Sequence, residues 1–337
     1  MCATLRKAAR KGAVVFNERL SDLDRRFRGE TDAHLRLNPI IVLGPPRSGS
    51  TLIYQVITAR FNVCYLSNVQ VLFYRFPKIG SLLCRPFHTF QGKHQFESSY
   101  GSTRGLLGQS EASLFWDQWI PRSESSETVR PLTELREHIA VVSNTFNLPF
   151  VGKSVYACNH VLRIVEVLPE AILVVAMRDP FFVAQSIVLA RRSLCDRGER
   201  RFSVQPRHCA IPDGLTDVEE SAFQVVHLYE SIIQDIEELQ DLRVLALDYD
   251  RVCIEPVEEM DRLRHRYEMD GGTLSEREFR GTSFVPSRQI KLDSDEVGLL
   301  RSTLERLWPR VQSRYENRFG HSIVGGGNPC HCAKHVV

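Results

Sequence analysis

The sequence predicts an α/β protein in three layers, a central parallel β-sheet flanked by helices. Three observations carry that prediction. A short apolar, β-branched run, Ile40 to Leu43, is bounded by Pro39 and Gly44 and has the length and composition of a buried strand; Thr51 to Ala59 then shows helical spacing of apolar residues. Ala171 to Met177 and Val244 to Leu247 are nearly all apolar, as strands covered on both faces must be. Between those two runs, Asp217 to Leu239 sets Val218, Ala222, Val225, Tyr229, Ile232, Ile236 and Leu239 on one helical face. Strands that alternate with helices in this way build a parallel sheet.

Residues 1–37 are charged and helix-permissive, with Leu20, Leu23 and Phe27 at helical spacing, and read as an N-terminal helical arm. The main domain spans 38–322, and Gly325-Gly326-Gly327 announce a flexible C-terminal tail at 323–337. After the first strand and helix, Val63 to Tyr65 is expected to form a short strand. Phe76 to Gly108 has no clear period and is rich in Gly and Pro, which suits a binding loop on the acceptor side of a site. Glu111 to Trp119 begins a helix, Thr133 to Asn144 is another, and Val161 to Leu168 a third that stops at Pro169. Phe181 to Arg192 continues as helix after Asp179 at the N-cap and Pro180 at the first helical position. The last helix, Asp295 to Phe319, is signalled by Asp293 and Glu296 in capping-box spacing.

At 337 residues and 43% hydrophobic, the chain can bury a large core as one domain. A formal charge of +2, from 43 basic and 41 acidic residues, argues against a surface spread for nucleic acid, so any anion site is local. Seven lysines stand against 36 arginines, which gives weight to a lysine found inside a motif, as Lys153 is. Nine cysteines, an odd number scattered from Cys2 to Cys332, do not form a disulfide framework and fit a reducing, cytoplasmic compartment. No run of about 18 apolar residues occurs, so no membrane span is expected. The basic, acid-free start also suits an organelle transit segment. Cys330, His331, Cys332 and His335 are close enough to ligate zinc, but they read as a mobile tail without a supporting fold, and no metal site is expected.

Two stretches carry chemistry. Strand, Gly-rich loop and helix around Gly44 to Thr51 bring backbone N–H groups and the positive end of a helix dipole to one point, which suits a phosphate. The Walker A pattern G-x-x-x-x-G-K-[ST] is met by Gly44, Gly49 and Thr51, giving a P-loop-like fold, but Ser50 stands at the lysine position and Arg47 is the cation of the loop. The second stretch is Arg178-Asp179-Pro180, directly after an apolar strand. Ser186 lies seven residues beyond Asp179, about two helical turns, so Arg178 and Ser186 can converge on one anion.

Pro46-Arg47-Ser48-Gly49-Ser50-Thr51 resembles the 5′-phosphosulfate loop of sulfotransferases that use 3′-phosphoadenylyl sulfate (PAPS), with pattern P-[RK]-S-G-[ST]-T, and Arg178 with Ser186 resembles their 3′-phosphate motif. Gly152-Lys153-Ser154 and Leu247-Asp248-Tyr249-Asp250 are similar to looser family segments, and the resemblance covers about Asn38 to Gly320. It implies transfer of a sulfuryl group from PAPS, as co-substrate and without a metal, to a hydroxyl of a small-molecule or carbohydrate acceptor. Arg47, Ser48, Gly49, Ser50, Thr51, Arg178 and Ser186 would bind the donor, with Arg288, and more weakly Lys291, closing over the 3′-phosphate. Arg47 and Lys153 would be the cations at the reacting centre. In one branch of the family the base is a glutamate beyond the first helix; the Ser67-Asn68 region here holds no carboxylate, and Glu111 takes that place, ahead of His160 and Asp117. Arg191 to Arg207 is a dense basic loop that reads as solvated or as a lid. Two alternatives stay open: an atypical P-loop kinase, and a protein that binds the nucleotide without turnover.

Overall fold

The computed structural model describes Asn17 and residues 34–90, 96, 98–99, 102–103, 105–120, 130–194, 202–207, 209–239, 243–279 and 283–320. Most of the expected arm at 1–37, the whole tail at 323–337 and its Cys/His cluster lie outside the described residues. Strands β1 (Ile40–Leu43), β2 (Val151–Lys153), β3 (Ile172–Met177) and β4 (Val244–Asp248) form one parallel sheet in the order β2-β1-β3-β4. Ten helices are described: α1 (Ser50–Arg60), α2 (Pro77–Cys84), α3 (Ser113–Trp116), α4 (Leu132–Phe146), α5 (Val161–Val167), α6 (Pro180–Leu194), α7 (Asp217–Glu238), α8 (Tyr249–Ile254), α9 (Pro256–Met269) and α10 (Ser294–Phe319).

Alternation along the strands divides the core into two layers, as the two-residue period of a strand requires. Ile41, Leu43, Leu173, Val175 and Met177 face Trp116, Trp119 and the apolar stripes of α4, α6, α7 and α10. Ile40, Val42, Ile172, Val174 and Ala176 face α1, α8 and α9 through Ile53, Ile57, Val252, Met260 and Leu263. The helices start where their sequences favour it. Thr216 caps α7 and Asp293 caps α10, each in a reciprocal capping box with a glutamate three residues on. Among the described residues, no helix is long and apolar enough to cross a membrane.

Four elements differ from expectation. The strand expected at Val63 to Tyr65 shrinks to a single bridge from Cys64 to Phe150, because its neighbour Asn62 already donates its amide to the Ser275 carbonyl. The segment Phe76 to Gly108, expected as loop, contains α2 between two 3-10 helices, Gln70–Phe73 and Arg85–Phe90. Its buried face is Pro77, Gly80, Ser81 and Cys84, so no apolar period marks it. The helix expected from Glu111 is one turn only, set off by Ala112 in the left-handed region at φ 50°. Helix α9 was not anticipated, although Pro256 at its start with Glu258 and Glu259 in its first turn is a recognisable N-terminus.

Because all four strands are parallel, their carboxyl ends lie along one edge. Gly44, Lys153, Arg178 and Tyr249 sit at or just beyond those four ends, where open α/β sheets bind ligands. The neighbouring Gly152 is tightly enclosed. A Cβ there would come within 2.8 Å of both Phe150 Cε1 and Trp116 Cζ2, in rings that are fully buried. We therefore expect Gly152→Ala to destabilise the fold by roughly 1–3 kcal/mol through overpacking. Urea unfolding would show a lowered midpoint at constant slope, and an unchanged midpoint would refute the packing assignment.

Candidate active site

The loop between β1 and α1 is held tightly from both sides. A Cβ on Gly44 would sit 2.7 Å from Ser48 Oγ, and one on Gly49 would sit 2.2 Å from Tyr249 Cδ2. Gly49 also has φ 88°, in the left-handed region, and caps α1, while Arg47 reaches φ 71° without being glycine. The first bond of α1 runs from the Ile53 amide to the Gly49 carbonyl at 3.1 Å, so the amides of Ser50, Thr51 and Leu52 have no partner within the helix. Ser48 is fully buried beneath the loop, and its hydroxyl oxygen has no hydrogen-bond partner. These features make a compact cradle for an anion.

The two motif arginines meet at this loop. Arg47 donates from Nε to Ser186 Oγ at 2.8 Å, across the gap between the loop and α6. Ser186 is carried there by α6, whose start is fixed by Asp179 Oδ1 accepting from the Phe181 amide at 2.8 Å. Arg178, just past β3, donates to the Arg47 carbonyl at 3.0 Å and to the Ser287 carbonyl at 2.5 Å. Its guanidinium carbon lies 4.4 Å from the centre of the Tyr249 ring.

Lys153, the last residue of β2, is almost wholly enclosed, with 1% of its side chain exposed, and its ammonium is in contact with the Glu111 carboxylate. Burial pushes its pKa down to about 7; the Cys158 thiol opposes that shift and the charge of Arg47 adds to it. Glu111 is held beside it by the turn in which Ser110 Oγ accepts from the Ala112 amide at 3.1 Å.

A single cavity of about 420 Å³ is lined by Arg47, Gly49, Ser50, Thr51, Glu111, Lys153, Arg178 and Ser186. Its remaining walls include Tyr249, Ser287 and the apolar side chains of Leu52, Phe96, Val155, Phe202, Phe284 and Val285. Of the other residues named from sequence, Ser48 lies under the floor, and Arg288, His160 and Asp117 do not line the cavity. Arg288 instead forks onto Asp250 Oδ2 at 3.1 and 2.8 Å. Lys291 donates its backbone amide to Gln185 at 2.8 Å. Of the described residues of the basic loop, Phe202 and Ser203 line the cavity. Tyr249 and Ser287 were not singled out by the sequence; the strand-end position of Tyr249 was the available signal. Among the described residues, no cluster of three His, Cys, Asp or Glu side chains could hold a metal.

A parallel sheet with a glycine-bounded loop after its first strand and an arginine after its third is an α/β fold with its candidate site at the strand ends, and solved structures share that fold. The sulfotransferase STF9 from Mycobacterium avium superimposes with a TM-score of 0.58 at 16% identity, covering 96% of this chain and 88% of that one. The sulfotransferase STF1 from Mycobacterium tuberculosis does so at 0.54 and 15%, covering 95% and 86%. These share the fold. No curated protein matches the sequence. The sulfotransferase family model matches residues 39–270, and the chain therefore belongs to the sulfotransferase family.

The enclosure of Lys153 has a measurable sign. Below pH 7 its ammonium is charged whether the chain is folded or not, and the full burial penalty stands. Between about 7 and the ordinary lysine value of 10.5 the folded protein has shed the proton and the unfolded chain has not, so stability rises with pH. Lys153→Met should remove that rise. Urea unfolding at several pH values between 6 and 9 should show the wild type gaining on the variant as pH increases, and a difference independent of pH would show an ordinary lysine.

Proposed function

We propose that the protein transfers a sulfuryl group from PAPS to a hydroxyl on a sugar, lipid or small-molecule alcohol. The observation that supports this most is one cavity lined by the cations of both motifs, Arg47 beside the α1 amides and Arg178 at the end of β3, with Ser186 hydrogen-bonded to Arg47; these would serve two separate anionic groups. PAPS carries a phosphosulfate at one end and a separate 3′-phosphate on its ribose, and so needs both. ATP has no 3′-phosphate and would leave the second group without a task. The amides of Ser50, Thr51 and Leu52, which have no partner within α1, fit a phosphate lying against the loop.

In this reading the donor supplies an activated sulfur–oxygen bond, and the protein supplies position and charge. The acceptor oxygen forms the new bond to sulfur while the bond from sulfur to the 5′-phosphate oxygen breaks, and the acceptor proton passes to the Glu111 carboxylate. Arg47 and Lys153 meet the charge that grows on the departing phosphate oxygen, as preorganised cations in a water-poor site do. An anionic donor in the cavity favours the charged form of Lys153 and draws its ammonium away from Glu111, which frees the carboxylate to act as base.

Thermal shift separates the readings. Adenosine 3′,5′-bisphosphate should stabilise the protein without metal, and stabilisation by ATP-Mg²⁺ alone would make it a kinase instead. Transfer from labelled PAPS to a panel of hydroxyl acceptors is the activity test; tight binding with no transfer to any of them would favour a binding protein.

The two anion groups should also divide kinetically. Arg178→Ala is expected to weaken adenosine 3′,5′-bisphosphate binding by about 2 kcal/mol, and Ser186→Ala by less, as measured by calorimetry. Unchanged affinity in a folded Arg178→Ala variant would remove the main argument for PAPS. Arg47→Ala and Lys153→Ala are expected to lower kcat more than they raise the donor KM, since their contacts strengthen as charge develops. Equal effects of all four substitutions on KM alone would contradict that division.

A further inference from the structure

Helix α2 is inside out by the standard of a packed helix. It buries Pro77, Gly80, Ser81 and Cys84 and turns Leu82 and Leu83 outward, with 44% and 54% of each exposed. The 3-10 helices on either side, which both pack against it, add Leu72 and Phe87, exposed by 45% and 53%. Leu106, 72% exposed, joins from a separate loop whose carbonyl accepts from the Val69 amide at 3.0 Å. Five large apolar side chains on adjoining segments form a patch rather than scattered single exposures.

Within the segment that carries the patch the charge has one sign, although α4, which packs against α2, carries Glu134 and Glu137. Arg75, Lys78 and Arg85 lie within the same segment, and the sequence holds no Asp or Glu anywhere between Asp32 and Glu97. Asn17 is anchored here. The Asn17 side chain donates to the Leu72 carbonyl at 2.7 Å and accepts from the Arg75 amide at 3.0 Å. The residues before Asn17 carry Arg6, Lys7, Arg10 and Lys11 and no acid.

Outward leucines and a phenylalanine inside a collar of arginine and lysine match the boundary between acyl chains and negatively charged headgroups, where apolar insertion and basic charge act together. We propose that the α2 face, with its flanking 3-10 helices, docks on an anionic phospholipid bilayer. A protein partner would need its own apolar groove with an acidic rim, whereas the bilayer surface supplies both features everywhere. The inference is independent of the reaction proposed above, since none of these residues lines the cavity.

Vesicle flotation with the full chain tests it. Binding is expected to vesicles of phosphatidylcholine with about 30% phosphatidylserine, to weaken as salt rises, and to be absent with phosphatidylcholine alone. The double substitution Leu83→Glu with Phe87→Glu should lower partitioning at least about tenfold, and so should Arg85→Glu, while Met269→Glu on the opposite layer leaves it unchanged. All four positions are exposed, and an unchanged thermal midpoint would confirm that each variant folds. No binding to anionic vesicles at low salt would overturn the proposal. So would binding that survives the double substitution, which would place the contact in the N-terminal basic stretch alone. Sedimentation velocity supplies the remaining arm: a dimer of the free protein that the double substitution abolishes would assign the face to a second copy and overturn the bilayer.

Discussion

Arg178 holds the cavity together. Its guanidinium donates to carbonyls of two different loops, those of Arg47 and Ser287, while its flat face rests on Tyr249 at the end of another strand. An arginine suits this position because its planar fork spends two donors on fixed acceptors and still offers a face for stacking. The Tyr249 ring in turn leaves no room for a side chain at Gly49, so the loop, the arginine and the ring define one another's positions. The remaining side chains of the site are then carried by rigid strand ends and helix starts.

The electrostatics of the site follow from that geometry. Arg47, Arg178 and Lys153 converge on one cavity, and among the described residues Glu111 is the one carboxylate that lines it. Gathering three cations around one carboxylate costs free energy, and the protein limits that cost in two ways. Burial makes it easy for Lys153 to lose its proton, and Arg47 is occupied with the Ser186 hydroxyl. The fold itself therefore holds the cations in place, which is what electrostatic preorganisation means in structural terms.

The sheet and its loops were legible because the signals were local. Ile40 to Leu43, the glycines at 44 and 49 and the Arg178-Asp179-Pro180 turn each declare their structure within a few residues. Two aspects of the site were not. Lys153 and Glu111 were both singled out from sequence, but their pairing depends on a left-handed turn at Ala112 that no periodicity announces. Arg288 was expected beside the other donor-binding residues, and its pairing with Asp250 depends on the segment before α10 returning to the start of α8, which no local pattern announces. Helix α2 escaped for a physical reason, since a helix that buries glycine and serine carries no hydrophobic stripe on its inner face.

The order of the strands bears on how the protein is made. An interior position belongs to β1, the first of the described strands in the chain, yet both of its neighbours come from residues beyond Phe150. The ring that braces Gly49 belongs to Tyr249, about two hundred residues after it, so the loop is synthesised early and supported late. During translation β1 offers two open edges of purely apolar sequence. Until the second half of the chain emerges, that strand has nothing of its own sheet to pair with, and shielding it is a task for whatever meets the nascent chain.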